Sequence, residues 1–206
     1  MSSEATRTLS SKGRQTRQAI AEAARNLFAE RGFHGTTLAD ITAAAGKSPA
    51  VFYRYYTDKE DLLAGLAESF LHDVVAPSGL SMRLPDSPED TGFFVSVVGN
   101  YWSMFKQNVG IMIAVAQLAA TQPRFATVQH EFRRFGMDIV AASVRRAQEQ
   151  GYGSDLVPAH TAAAIALLFE NFTAVFAGPC GLGIQLPDQQ AVATLATIWK
   201  KTLYGC

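Results

Sequence analysis

The stretch GTTLADITAAAGKSPAVFYRYYTDKEDLL, residues 35–63, holds three helix starts in quick succession. So little chain between starts leaves room only for short, tightly turned helices. Thr37 is placed to cap the first, with Asp40 three residues on to reach back. Leu38, Ile41 and Ala45 then recur at helical spacing. Gly46 follows, the residue best suited to left-handed backbone at a helix end. Ser48 is a second cap, with Pro49 at the first helical position, where its missing N–H costs nothing. Thr57-Asp58-Lys59-Glu60 reads as a third start with a capping box, ahead of Leu62, Leu63 and Leu66. The second helix is then about two turns, Pro49 to Tyr56.

A helix that short has little stability of its own and must be held by packing. Phe52 and Tyr56, four apart, form its buried face, with Val51 partly beneath. Ala50, Tyr53, Arg54 and Tyr55 are left near the surface. Aromatic side chains on such a face make sense where it meets a partner. A helix–turn–helix places its second helix in the major groove of DNA, with N-terminal residues near base edges. The preceding segment, Arg14 to Arg31, carries Ile20, Ala21, Ala24, Leu27 and Phe28 on one stripe and completes a three-helix layout.

Residues 14–63 resemble the DNA-binding domain of the tetracycline-repressor (TetR) family. The resemblance rests on RGF-x-GTT, then DI-x-x-AAG-x-S-x-x-x-FY-x-YY, then a D-K-E-x-L-L start, with no gap. It implies a homodimeric transcriptional regulator, usually a repressor, released from a palindromic operator by a small molecule. Carried over by position, Thr37 and Lys59 match phosphate contacts at helix starts, Tyr53 a tyrosine that touches DNA, and Tyr55 a neighbouring contact. Lys47, Ser48, Pro49, Ala50 and Arg54 lie where family members vary and read bases. The chain departs from the pattern at Lys47, often a small hydrophobe. Pro49 and Ala50 have no side-chain donors, so base reading falls to Lys47, Arg54 and the tyrosines, with Ala50 against thymine methyls.

Charge distribution agrees. The chain is neutral overall, with 18 basic and 18 acidic residues, but residues 1–57 hold 8 Lys/Arg against 4 Asp/Glu. A basic module on an acidic body is the footprint of a DNA reader. The polar N-terminus MSSEATRTLSSKGRQ has no apolar segment and reads as a flexible arm, residues 1–13, rather than a signal peptide. Arg7 and Lys12 lie in it. The DNA-binding domain is assigned to 14–60 and a ligand-binding and dimerisation domain to 61–206.

Beyond residue 75 helical spacing continues without strand alternation. Helices read as 91–107, 109–121, 123–150, 158–177 and 188–204, after a Pro/Ser/Asp-rich connection at 77–90. The expected fold is all-α, about nine helices: a three-helix helix–turn–helix domain plus a larger helical bundle. Helices 158–177 and 188–204 are apolar on more faces than a core requires. In the family the last two helices pair with their twins, which makes them the expected homodimer interface. Phe94, Tyr101, Trp102, Phe105, Met112, Phe135, Phe169 and Phe172 are the expected lining of a pocket for a small apolar effector, with Asn100, Gln117, His130, Glu170 and Asn171 as polar anchors.

Other classes fit less well. The four histidines are scattered without metal-ligand spacing, and no phosphate-cradling glycine loop occurs. No enzyme, cofactor or metal site is therefore expected. Val109–Ala120 and Thr161–Phe169 are shorter than a membrane span. Cys180 and Cys206 make no disulfide framework, and a reduced cytoplasmic protein fits best. The competing class is an architectural or ligand-independent DNA-binding protein.

Overall fold

A computed structural model describes residues 10–75, 83–178 and 182–205. Among these it is helical without strands: α1 (Ser11–Arg31), α2 (Leu38–Ala44), α3 (Pro49–Phe52), α4 (Lys59–Val75), α5 (Thr91–Gln107), α6 (Val109–Ala119), α7 (Pro123–Glu149), α8 (Pro158–Ala177) and α9 (Asp188–Tyr204). Arg7, Cys180 and Cys206, most of the expected N-terminal arm, and residues 77–82 of the 77–90 connection lie outside the described residues.

The first helix begins at Ser11, three residues before the expected start, because the Ser10 side chain accepts from the Gly13 N–H and caps it. α2 carries the capping box read from the sequence: the Asp40 N–H donates to the Thr37 hydroxyl at 3.1 Å, and the Thr37 N–H to the Asp40 carboxylate at 2.9 Å. The box at α4 is shifted by one residue from the expectation. Asp58, not Thr57, accepts the Asp61 N–H at 2.6 Å, and Asp61 in turn accepts the Thr57 N–H at 3.0 Å. Regular helix in α3 covers only Pro49–Phe52, with turns continuing to Tyr55, yet Phe52 and Tyr56 are buried as their spacing demands.

Two hydrophobic clusters organise the molecule. The first joins Ile20, Ala24, Leu27 and Phe28 of α1 to Ile41, Phe52 and Tyr56, to Leu62, Leu63 and Leu66 of α4, and on to Ile111, Ala114, Val115 and Leu118 of α6. Packing therefore runs without a break across residue 60, where the sequence suggested a boundary. The second gathers Phe93, Phe94, Trp102, Val140, Val144, Phe169, Leu195 and Trp199 from α5, α7, α8 and α9.

α6 approaches α1 closely through Gly110. A Cβ at that position would lie 2.4 Å from the Phe28 carbonyl carbon and the Ala29 nitrogen, so only glycine admits this contact. α8 is the one helix among the described residues long and apolar enough to cross a membrane, although the shorter stretch Thr161–Phe169 read as too brief. Only 22% of its most apolar 18-residue stretch is buried within the chain. Leu167 and Leu168 are 46% and 38% exposed. Glu170, in the middle of the helix, is ion-paired to Arg133 of α7.

Candidate nucleic-acid interface and cavities

The α2–α3 turn is set by backbone chemistry. Gly46 takes φ +62°, a conformation that costs other residues about 1–2 kcal/mol. The Lys47 N–H donates back to the Thr42 carbonyl at 2.9 Å. Phe52 anchors α3 from beneath, its ring 5.5 Å from Tyr56 and 5.6 Å from Tyr53. The Tyr56 hydroxyl accepts from Arg17 Nε at 3.3 Å, tying α1 to the same corner and spending Arg17 within the domain.

With the short helix so fixed, Ser48, Pro49, Ala50, Tyr53 and Arg54 face outward, and Lys47 is half-buried. Tyr53 is 60% exposed. Among the described residues neither Lys47 nor Arg54 has a side-chain hydrogen-bond or ion-pair partner. Ser48 has capping backbone geometry but makes no side-chain cap bond. The expected reading residues thus share one exposed edge with unspent polar groups.

Three sequence expectations change here. Tyr55 is half-buried and packs against the first hydrophobic cluster, so its ring serves the domain before any partner. Thr37 directs both its N–H and its hydroxyl at Asp40, the latter at 2.6 Å. Those bonds, hydroxyl first, hold the Asp40 carboxyl below the usual carboxylate range, with Arg31 adding a smaller pull. The helix start therefore carries a negative charge where a phosphate donor was expected. Lys59 is turned inward. Its Nζ donates to the Phe33 and Thr36 carbonyls, each at 2.7 Å, and sits 4.1 Å from the centre of the Phe33 ring. An ammonium has three protons, so at most one is left for a phosphate.

Lys59 is thus a brace for the α1–α2 turn, a role that sequence spacing does not encode. Lys59→Met keeps the apolar stem over Phe33 but removes the donors. It is expected to lower stability by about 2 kcal/mol, the worth of a charge-assisted pair of bonds. Urea unfolding checks this: an unchanged midpoint would show the brace to be energetically idle.

Among the described residues, two neighbouring cavities border the interior of the bundle. The larger, about 460 Å³, is walled by Tyr101 and Met104 of α5, Phe132, Phe135 and Ile139 of α7, Phe169 of α8 and Trp199 of α9, with Asn100 and Asp73 among its polar groups. The smaller, about 290 Å³, is walled by Phe105, Met112, Val115, Phe132 and Ala174, with Gln117, Gln129, Glu170 and Asn171. Phe132 belongs to both. Burial pushes the Tyr101 phenol far above its ordinary value; Thr173 pulls slightly the other way and the Glu170 carboxylate adds to the rise. Glu170 accepts two bonds from Arg133, at 2.6 and 2.8 Å, and one from Gln129 at 2.9 Å.

Of the expected pocket residues, Tyr101, Phe135 and Phe169 line the larger cavity, and Phe105 and Met112 the smaller. Phe94 and Trp102 do not line either. They are core residues: Phe94 stacks edge-on against Trp199 at 5.2 Å, and Trp102 is buried in the second cluster. Phe172 lines an outer groove of α8 with Leu167, Leu168 and Phe176. Among the expected anchors, His130 lines neither of these two cavities. Phe132 and Trp199 were missed, because helical spacing alone does not separate a cavity wall from a core.

α6 stands between the smaller cavity and the cluster beneath α3. Ile111, Ala114, Val115 and Leu118 pack in the cluster that holds α1 and α3, while Met112, Ile113, Ala116 and Gln117 face the smaller cavity. Val115 belongs to both surfaces.

Comparison with known proteins gives a consistent result. Residues 20–66 match the family model "Bacterial regulatory proteins, tetR family", and residues 94–205 match "Transcriptional regulator EthR, C-terminal domain". The HTH-type transcriptional regulator EthR of Mycobacterium tuberculosis is 26% identical over 203 residues, covering 97% of this chain and 92% of that protein. The HTH-type transcriptional repressor AcnR of Corynebacterium diphtheriae is 28% identical over 148 residues, 69% of this chain and 70% of that one. Among solved structures, the regulator PfmR of Thermus thermophilus superposes with a TM-score of 0.68 at 19% identity, covering 88% of this chain and 97% of the other.

Proposed function

Because the chain belongs to the TetR family of bacterial DNA-binding transcriptional regulators, we propose that it is a repressor that binds a palindromic operator as a homodimer. A small, largely apolar effector entering the bundle releases it. The observation that carries this reading is the position of α6. It packs on the reading domain with one face and lines a cavity with the other, so filling the cavity displaces a helix that supports α1. Communication through a packed helix with two arrangements is how such domains couple sites.

DNA contacts are assigned to Lys47, Ser48, Pro49, Ala50, Tyr53 and Arg54, on the exposed edge around α3. Arg54 and Lys47 supply base or phosphate donors, and Ala50 meets thymine methyls. Lys59 adds at most one N–H. Homodimerisation is assigned to α8 and α9, whose outer faces leave Leu167, Leu168 and Ile198 exposed. Two-fold pairing places two reading edges on successive major-groove faces, which is what a palindrome requires. Work on DNA suits an intracellular, cytoplasmic protein.

The test is selection of bound fragments from random DNA, followed by shift assays on the selected site. Arg54→Ala is expected to weaken operator binding about tenfold or more and to relax the preference at one base position, with folding unchanged. Equal binding to selected and random DNA would remove the regulator reading and favour an architectural protein.

A further inference from the structure

We propose that Arg124 is a positioning residue for DNA binding: its guanidinium clamps the reading head to the body through Asp61 and Glu68, and so fixes the separation of the two reading edges in the proposed dimer. This rests on the dimeric DNA-binding reading above.

Arg124 stands in the first turn of α7. Its Nη1 donates to Asp61 at 3.2 Å, and its Nε and Nη2 donate to one oxygen of Glu68 at 3.3 and 3.1 Å. Asp61 and Glu68 are seven apart on α4, two turns and roughly 10 Å along one face. A planar fork with several donors suits a bridge between two such carboxylates. Asp61 has a second task. Its other oxygen accepts the Thr57 N–H at 3.0 Å, and Thr57 follows directly on Tyr56. The Thr57 N–H first, and Arg124 after it, hold the Asp61 carboxyl below the usual carboxylate range, so it stays charged. One carboxylate thus joins the end of the reading segment to α7.

The neighbouring Phe125 is buried in the head cluster, as are the inner residues of α6. Apolar contact is non-directional and lets packed surfaces slide or rotate. Among the described residues, the ion pairs between α4 and the body are those of Arg124 alone. The guanidinium is 49% exposed, and a pair so exposed contributes little to folding. What it sets is the angle at which α4 leaves the body. In a two-fold dimer an error in that angle is doubled across a palindrome.

The experiment measures binding of the full-length protein to the site selected from random DNA, and to versions with the half-sites one base pair closer or farther. One base pair displaces the groove by about 3.4 Å and turns it by about 35°. Wild type is expected to lose roughly tenfold on either shift. Arg124→Gln should bind the selected site roughly tenfold more weakly and lose no more than about threefold further on the shifts, with melting within about 3 °C of wild type. Glu68→Gln should act in the same direction, and the double variant no further than Arg124→Gln alone. Arg124→Lys keeps the charge without the fork and should resemble Arg124→Gln. A wild type indifferent to spacing, an Arg124→Gln variant as sensitive to spacing as wild type, or an Arg124→Lys variant that matches wild type overturns the clamp and leaves the DNA reader in place. Selection that yields no paired half-sites removes the dimeric reading itself, and the clamp with it.

Discussion

Gly110→Ala is expected to lower the melting temperature by roughly 8 °C, corresponding to about 3 kcal/mol in a chain of this size. The sign is the informative part. Glycine inside a helix is less favourable than alanine by about 1 kcal/mol, so an unconstrained site would gain stability from the change. At Gly110 the new methyl would stand 2.4 Å from the Phe28 and Ala29 backbone, which cannot swing aside as a side chain can. α6 must retreat from α1, opening the seam among Phe28, Ile111 and Val115. Gly136→Ala in α7, with nothing within 4 Å of its Cβ, is the control and should be neutral or stabilising. Thermal unfolding of the two variants settles the matter: equal melting temperatures would mean that α6 has slack at this joint. Where α6 does retreat, operator affinity should fall even without effector, because the support beneath α1 has moved.

The second large effect is expected at the outer face of α8. Leu167→Glu with Leu168→Glu should convert the proposed dimer to a monomer and weaken operator binding by at least about 100-fold. These leucines flank a groove with Phe172, Val175 and Phe176, and among the described residues they remain 46% and 38% exposed. In the proposed dimer their twins cover them, and two carboxylates there would be buried without partners at a cost of several kcal/mol. A monomer presents one reading edge and loses half of the operator contacts. Sedimentation and shift assays read the two consequences separately. A double variant that remains dimeric with unchanged affinity would place the interface elsewhere. The change touches only exposed positions, so the melting of the remaining fold should move little beyond the loss of dimer linkage.

Sequence made the local structure legible where a single residue's chemistry decides it. The Thr37–Asp40 box, the left-handed Gly46, Pro49 at a helix start and the Phe52–Tyr56 pair all follow from rules that act within four residues. The three-helix head was readable for that reason, and so were five later helices bounded by Pro, Gly and Asn. What escaped depended on partners far along the chain. Lys59 looked like a surface cation until the fold set it under the carbonyls of Phe33 and Thr36, 26 and 23 residues away. Tyr55 had the same periodic signal whether it packed inward or outward. Phe94 and Trp102 were indistinguishable from Tyr101 and Phe169 by spacing, because all four recur at helical intervals and the packing of α7 and α9 decides which rings border empty space. The clean division at residue 60 also depended on distance: α6, fifty residues downstream, completes the core of the reading head.

Pro49, Ala50 and Arg54 contribute nothing to the first hydrophobic cluster and Tyr53 meets it only edge-on at Phe52, while Phe52 and Tyr56 carry the seating of the same short segment and Lys59 locks the turn beside it. With the DNA contacts proposed above, address and scaffold are written in different residues. The outward positions can be exchanged at almost no cost to folding, since exposed changes away from caps and cores shift stability by less than about 0.5 kcal/mol. A lineage carrying this head can move to new operators one side chain at a time, keeping its sensing bundle intact throughout.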